Sequence, residues 1–303
     1  MIDRRKFLKT GSLFTVASMF FSFGGQKLFA LSSSKSIPNT TLNNGIKMPF
    51  LGFGTYSLLG DICVESVHQA ILSGYRLIDT ATIYGNEEFV GLGIKKSGIN
   101  RADLFITSKV WVDDSGYQNT LKAFNTSIKK LGVEYLDLYL IHRPRGDVKG
   151  SWLAMEELYK QGKIKAIGVS NFELPQLEEL LEYAKIKPVV NQIETHAFYH
   201  QHSSYKNLKK QDIQLEAWSP LAQGRNGLFT NKTLAEIGNK YGKSNAQISL
   251  RWHYQRGIVA IPRTEQKSHM IENLDIFDFE LSDMDMKTIT QLDLNKTQFP
   301  EWR

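Results

Sequence analysis

From Pro49 onward, apolar runs of about four to six residues alternate with longer amphipathic stretches down to the C-terminus, the pattern of a repeated β/α unit. The spacing predicts strands at Phe50–Phe53, Arg76–Ile78, Leu104–Ser108, Leu136–Ile141, Ile164–Val169, Val189–Asn191, Ile213–Ala217 and Ile258–Ile261. Between them, Leu121, Phe124, Ile128 and Leu131 recur at helical spacing in Tyr117–Leu131, with Gly132 as the stop. A second helix is expected over Trp152–Gln161, ended by Gly162, and a third over Asn245–Gln255, whose Ile248, Leu250, Trp252 and Tyr254 read as core packing. Continuous apolar strands such as Ile164–Val169 suit a parallel sheet covered on both faces. Eight such units in one domain close most naturally into an α/β fold of the (β/α)8, or TIM, barrel type. An open doubly wound sheet would want a glycine-rich phosphate turn after the first strand. Leu51–Tyr56 has two glycines, no third, and no helix opening on them. Ahead of the repeat, Thr41–Met48 reads as a β-hairpin turning at Asn44-Gly45.

The first thirty-two residues follow a different pattern. Arg4, Arg5 and Lys6 precede an uncharged run from Gly11 to Gly25, too short for a spanning helix of ~20 apolar residues. Paired arginines before a modest apolar run resemble a twin-arginine export signal, with cleavage expected after Ser32. Residues 33–40, rich in serine, read as a linker, and 41–303 as the barrel. On this reading the protein is exported, to the periplasm, and is cytoplasmic if the signal does not function. Removing 1–32 takes five cations and one acid, net +4 of the formal +6, and leaves about +2. The basic balance therefore belongs to the signal and does not indicate nucleic acid, and no membrane span is expected after cleavage. Cys63 is the one cysteine, so the chain is stabilised by its core and not by an internal disulfide.

In a barrel the chemistry lies at the C-terminal strand ends. Read in that order, the expected strands lead to Asp79 and Tyr84, then Lys109, His142, Ser170 with Asn171, Gln192, Trp218-Ser219-Pro220-Leu221, and Pro262-Arg263-Thr264. A structural account of one such residue is easy, but not of a whole rim.

The residues at that rim resemble the aldo-keto reductase family from about Pro49 to Leu292. The resemblance is carried by Gly52-Phe53-Gly54-Thr55, Gly74–Ala81, Tyr84–Glu88, Ser108-Lys109-Val110-Trp111, Asp137–His142, Gly168–Phe172, Val190–Glu194, Trp218–Leu221, Ile261-Pro262 and Glu272-Asn273. It implies Tyr84 as proton donor, Lys109 and Asp79 as its tuning pair, and His142 as the group that orients a carbonyl. The chemistry agrees, because reducing a carbonyl needs a hydride at carbon and a proton at the developing alkoxide. A free phenol, with pKa near ~10, holds its proton tightly, and a neighbouring ammonium is expected to lower that value. The resemblance also implies NADP(H), with NAD(H) as an alternative. Gly54 and Thr55 would lie along it, and Ser170, Asn171 and Gln192 would hydrogen-bond its carboxamide. Trp218 would stack on the nicotinamide, Ser219 and Leu221 would meet the pyrophosphate, and Glu272 and Asn273 the adenine. Tyr56, Trp111, His142 and Arg143 would border a small-molecule aldehyde or ketone, and a monomer is expected.

Two departures stand out. Members of the family that prefer NADPH typically carry Lys-Ser and a later Arg where this chain has Arg263-Thr264 and His269. Arg263 can fork a phosphate, but histidine is mostly neutral at pH 7, so an NADP(H) preference that weakens as pH rises is expected. Arg143 follows His142 where many members have an aromatic, which suggests carbonyl substrates with an anionic group or, equally, a side chain in solvent. The short segment Arg145–Ser151 and tail Asn295–Arg303 predict low pocket walls. His196, His200 and His202 match no common zinc spacing, and no metal is expected. A barrel that binds nucleotide as a slow sensory subunit is the competing reading. A barrel isomerase or hydrolase would leave Asn171, Gln192 and Trp218 without purpose.

Overall fold

A computed structural model describes residues 37–302. The expected export signal, its cleavage point and the first half of the linker, 33–36, lie outside the described residues. The hairpin comes first, β1 (Asn39–Thr41) against β2 (Lys47–Pro49), so β1 takes in the last two linker positions. Its Asn44-Gly45 turn reaches the barrel floor, where Asn43 Nδ2 donates to the carbonyls of Pro188 (3.0 Å) and Asp212 (2.8 Å), and Asn44 Nδ2 to Lys165 (3.1 Å).

Eight parallel strands follow in chain order, β3 (Gly52–Gly54), β4 (Leu77–Asp79), β5 (Phe105–Val110), β6 (Leu138–Ile141), β7 (Ile167–Ser170), β8 (Val190–Glu194), β9 (Gln214–Trp218) and β10 (Val259–Ala260). Each pairs with the next, and a parallel bridge from Leu51 to Ala260 closes the ring. The helices are α1 (Gly60–Ser73), α2 (Glu87–Ser97), α3 (Tyr117–Leu131), α4 (Val148–Lys160), α5 (Leu174–Tyr183), α6 (His202–Lys210), α7 (Lys232–Tyr241), α8 (Asn245–Gln255), α9 (Lys267–Leu274) and α10 (Asp283–Thr290). Among the described residues, no helix is long and apolar enough to cross a membrane.

The third and eighth helices have the expected bounds, and Gly132 ends α3 in the left-handed region at φ +65°. Helix α4 starts four residues earlier than the apolar spacing indicated, because Asp147 accepts a hydrogen bond from the Gly150 N–H and so caps a turn that has no apolar signature. Close approach matters at Gly91, where a Cβ would lie 2.5 Å from the Leu131 carbonyl at the end of α3.

The strands run further toward their C-terminal ends than their apolar runs. Asp79, Lys109, Ser170, Gln192 and Trp218 were expected after strands but lie within them. Strand alternation explains why this matters. Ile78, Ile106, Tyr139, Ile141 and Val169 face the helices, with Phe124 and Trp152 in the same cluster. Leu77, Phe105, Leu138, Leu140, Val190 and Val259 fill the barrel together with Leu42 and Met48 of the hairpin. Two residues above Leu77, Leu140 and Val190 stand Asp79, His142 and Gln192, while Lys109 stands four above Phe105 and Glu216 two above Gln214. The inner face thus changes from aliphatic to ionisable over one period, and the strand ends hold a polar layer above a dry one.

Candidate active site

Within this layer Lys109 Nζ lies 2.6 Å from Asp79 Oδ1 and donates to the Thr80 carbonyl at 3.0 Å, with both side chains buried. Gln192 Nε2 bridges Asp79 Oδ2 (2.8 Å) and Glu216 Oε2 (2.9 Å). Burial pulls the Lys109 pKa down, but Asp79, Tyr84 and Glu216 outweigh it, and the net shift is upward. The buried ammonium is therefore held charged. Glu216, absent from the sequence expectations, is pushed up to about 8, first by burial and then by Asp79, so it is protonated at neutral pH. Its signal was an acid inside a strand, two positions before Trp218.

Tyr84 ends a short 3-10 turn, Thr82–Tyr84. That turn is fixed by Thr82 Oγ1, which donates to the Lys109 carbonyl at 3.0 Å, and by the buried Asn86, whose Nδ2 donates to the carbonyls of Thr55 (2.8 Å) and Leu58 (3.0 Å). Lys109 Nζ sits 5.1 Å from the Tyr84 ring centroid, and the His142 ring meets that ring edge-on at 5.7 Å. The expected pair and its two partners are thus assembled. One expectation is corrected: the phenol's pKa is raised, because burial outweighs the lowering by Lys109, and Asp79 adds to it. The tyrosine keeps its proton throughout the neutral range. His142 is driven well below the ordinary histidine value, by burial and then by Lys109 and Arg143, and so is a neutral imidazole.

These groups border a cleft of about 750 Å³. Gly54, Tyr56, Asp79, Tyr84, Trp111, His142, Arg143, Ser170, Asn171, Gln192, Trp218, Ser219, Leu221 and Arg263 all line it. Arg143 faces this cleft and is not directed wholly to solvent. The remaining expectations fare differently. Thr55 is buried, and its hydroxyl donates to the Asp79 carbonyl at 2.9 Å, which makes it a support for the strand end and not a cleft contact. Asn171 Nδ2 donates to the His142 carbonyl (3.1 Å) and Ser170 Oγ (2.9 Å), while its Oδ1 accepts from Trp218 Nε1 at 2.8 Å. Asn171 therefore positions the Trp218 ring, and Gln192 Oε1 is the amide oxygen left for a bound carboxamide. Thr264 and His269 stand outside the cleft lining, 3.5 Å apart from Oγ1 to Nδ1. Arg263 Nη2 is paired with Glu265 at 2.5 Å, so a phosphate there would have to displace a carboxylate. Glu272 accepts from the Ser244 hydroxyl, and Asn273 is buried beside the Tyr75 phenol.

The tail is not a low wall. Glu194 accepts from the Gln298 N–H (2.8 Å) and the Thr297 hydroxyl (2.5 Å), and Trp302 then packs on Tyr56 (5.2 Å) and Trp218 (5.5 Å). A few aromatic residues suffice where a long loop seemed necessary. The histidine cluster separates: His196 pairs with Glu194 at 3.0 Å, while His200 and His202 converge on Asp293.

A closed eight-stranded barrel with a buried Asp–Lys pair, a phenol and a neutral imidazole at its C-terminal mouth defines a carbonyl-reducing class of protein, and the family comparison agrees. The Aldo/keto reductase family model matches residues 51–294, and the chain belongs to that family, whose members are oxidoreductases acting on carbonyls. It is 53% identical over 261 residues to the glyoxal reductase of Bacillus subtilis, covering 86% of this chain and 94% of that protein. It is 40% identical over 263 residues to the methylglyoxal reductase DkgA of Escherichia coli, covering 86% and 95%. An aldo-keto reductase of Bombyx mori, solved in complex with NADP, superposes with a TM-score of 0.82 at 32% identity over 88% of this chain and 97% of that one.

Proposed function

We propose that the protein reduces small aldehydes and ketones, 2-oxoaldehydes among them, with NADP(H), and that Tyr84 supplies the proton. The observation that carries this is a protonated phenol beside a buried ammonium that Asp79 holds charged. The donor set fits a nicotinamide dinucleotide. Along one cleft it offers the flat ring of Trp218, the amide oxygen of Gln192, the hydroxyl of Ser219 and, once freed from Glu265, the guanidinium of Arg263; the Ser170 hydroxyl is given to the Gln192 carbonyl at 2.8 Å. When bound, that nucleotide supplies the hydride. The chain's own residues do the rest. Tyr84 and His142 converge on the carbonyl oxygen, the neutral imidazole donating a hydrogen bond that orients it. Tyr84 gives up its proton as charge develops there, and Lys109 compensates the phenolate left behind. Tyr56, Trp111 and Trp302 restrict water and suit a compact substrate. The test is consumption of NADPH with glyoxal and methylglyoxal; failure of both to exceed an inert alcohol control would reject the reading.

Arg263 and the nearby His269 favour a 2′-phosphate, so NADPH is expected to bind more tightly than NADH. Measuring both reduced nucleotides on either side of neutrality checks this, and a preference for NADH would overturn it. For the substrate end, Arg143→Ala is expected to cost roughly 10-fold in kcat/KM for a carboxylate-bearing aldehyde, about one charge-assisted hydrogen bond, and little for its neutral analogue. Unchanged selectivity would remove Arg143 from substrate recognition.

A further inference from the structure

Away from the cleft, two stretches distant in sequence meet at three side chains. His200 and His202 stand where the segment after β8 enters α6, and Asp293 follows α10. Asp293 Oδ2 lies 3.5 Å from His202 Nε2 and 3.9 Å from His200 Nδ1, and the three ligand-type atoms all lie within 4.8 Å of one another. The two imidazole rings are 5.3 Å apart.

His200 is the informative member. It is wholly buried, and its Nε2 is 2.9 Å from the Ala197 carbonyl. A carbonyl oxygen only accepts, so Nε2 carries the hydrogen and Nδ1 presents a lone pair. That Nδ1 is buried without a hydrogen-bond partner and lies 3.9 Å from a carboxylate oxygen, while the Arg256 guanidinium is turned to the His200 carbonyl, donating to it at 3.0 Å. Two electron-rich atoms facing each other beside a buried ring repel. A cation between them reverses the sign. The carbonyl bond at the far nitrogen is also the arrangement that fixes ring orientation in metal-bound histidines. Asp293 is held in the same way, its Oδ1 accepting from the N–H groups of Asn295 (2.9 Å) and His200 (3.3 Å), which leaves Oδ2 over.

We propose that His200 Nδ1, His202 Nε2 and Asp293 Oδ2 form a site for a divalent transition metal, zinc fitting it best, with a fourth position open to water. Ligand atoms at ~2.0–2.1 Å from a tetrahedral zinc are roughly 3.3 Å apart, so the 3.5 and 3.9 Å distances to Asp293 need contract by about 0.2 and about 0.6 Å. The larger adjustment falls on His202, which is exposed and can turn. Two imidazoles in a set of three disfavour magnesium and calcium, which take oxygen ligands. The chain spacing of the histidines gave no zinc pattern because the third ligand comes from the far end of the barrel. A metal here would tie the segment after β8 to the stretch leading into the tail, which carries Phe299 and Trp302.

The test is calorimetric titration of the metal-stripped, tag-free full chain with zinc chloride. One equivalent is expected to bind, with magnesium chloride giving no saturable heat. His202→Ala, at an exposed position, and Asp293→Asn should each weaken zinc binding roughly 10-fold or more. Unfolding of His202→Ala in the presence of EDTA should match that of the parent, which separates loss of a ligand from loss of fold. Cobalt titration should give the visible ligand-field band of a four-coordinate site in the parent and not in Asp293→Asn. No saturable zinc binding, or binding that both variants retain unchanged, overturns the assignment.

Discussion

Tyr84→Phe is expected to lower kcat for carbonyl reduction by roughly 10³-fold, within the range of about 10²–10⁴ that a positioned acid contributes. The dissociation constant for NADPH should stay within about 2-fold, since the lost oxygen acts on the developing alkoxide and not on the ground-state nucleotide. What decides the donor is which groups in the cleft still hold a transferable proton at neutral pH. His142 is neutral, and its pKa lies well below the usual range. Lys109 is buried behind Tyr84, with Asp79 and the Thr80 carbonyl taking its hydrogens. Arg143 keeps its proton too firmly. The phenol remains, its own pKa raised by burial and its conjugate base stabilised by Lys109. The same shifts fix the pH profile for the reductive direction. With the phenol's value raised above 10, donation should persist to alkaline pH, and kcat should fall only as pH rises through that higher value. No inflection should appear near 6.5 from His142, whose ring is already neutral and keeps its one N–H throughout. Steady-state rates across pH check both statements. Equal turnover by wild type and Tyr84→Phe would sink the assignment, as a nucleotide-binding module with negligible chemistry would give.

Much of this site was legible in the chain, for a physical reason. Strand ends alternate in and out, so a polar residue two positions after an inward aliphatic one must enter the barrel mouth. Asp79 after Leu77 and His142 after Leu140 obey that rule. What the chain concealed is which polar atoms satisfy one another once they are there. Asn171 has an amide suited to a cofactor, yet its three hydrogen bonds go to Trp218, Ser170 and the His142 carbonyl. Thr55 spends its hydroxyl on the Asp79 carbonyl in the same way. The sign of the Tyr84 shift was also hidden, because an adjacent cation is visible in a sequence pattern and the depth of burial is not. Glu216 escaped notice for a related reason: an acid within a strand reads as a solvent-facing position unless the register of its neighbours is known.

Glu216 makes the second large effect dependent on pH. Lys109→Met keeps the aliphatic stem but leaves Asp79 and Glu216, joined through Gln192, with no cation. Breaking a buried pair in this way costs on the order of 3–5 kcal/mol, and the loss of phenolate stabilisation should lower kcat by roughly 10²-fold as well. The pH dependence has a definite sign. Burial and Asp79 raise the Glu216 pKa from 4.5 to about 8, so the folded chain binds a proton there that the unfolded chain releases. Stability from that proton is complete below about 4.5 and is lost as pH rises through about 8, a change of a few kcal/mol at about 1.4 kcal/mol per decade. Since Lys109 is one of the groups that lowers the Glu216 value, Lys109→Met should extend the loss to higher pH. Glu216→Gln resembles the protonated carboxyl and can still accept from Gln192. It should leave stability nearly level over the same interval, and it should relieve part of the Lys109→Met deficit on the alkaline side. Urea unfolding of Lys109→Met, Glu216→Gln, the variant that combines them and the parent at acid, neutral and alkaline pH measures each slope. If Glu216→Gln declines with pH as steeply as the parent, the proton is not on Glu216, and the charge balance beneath Tyr84 rests on the Asp79–Lys109 pair alone.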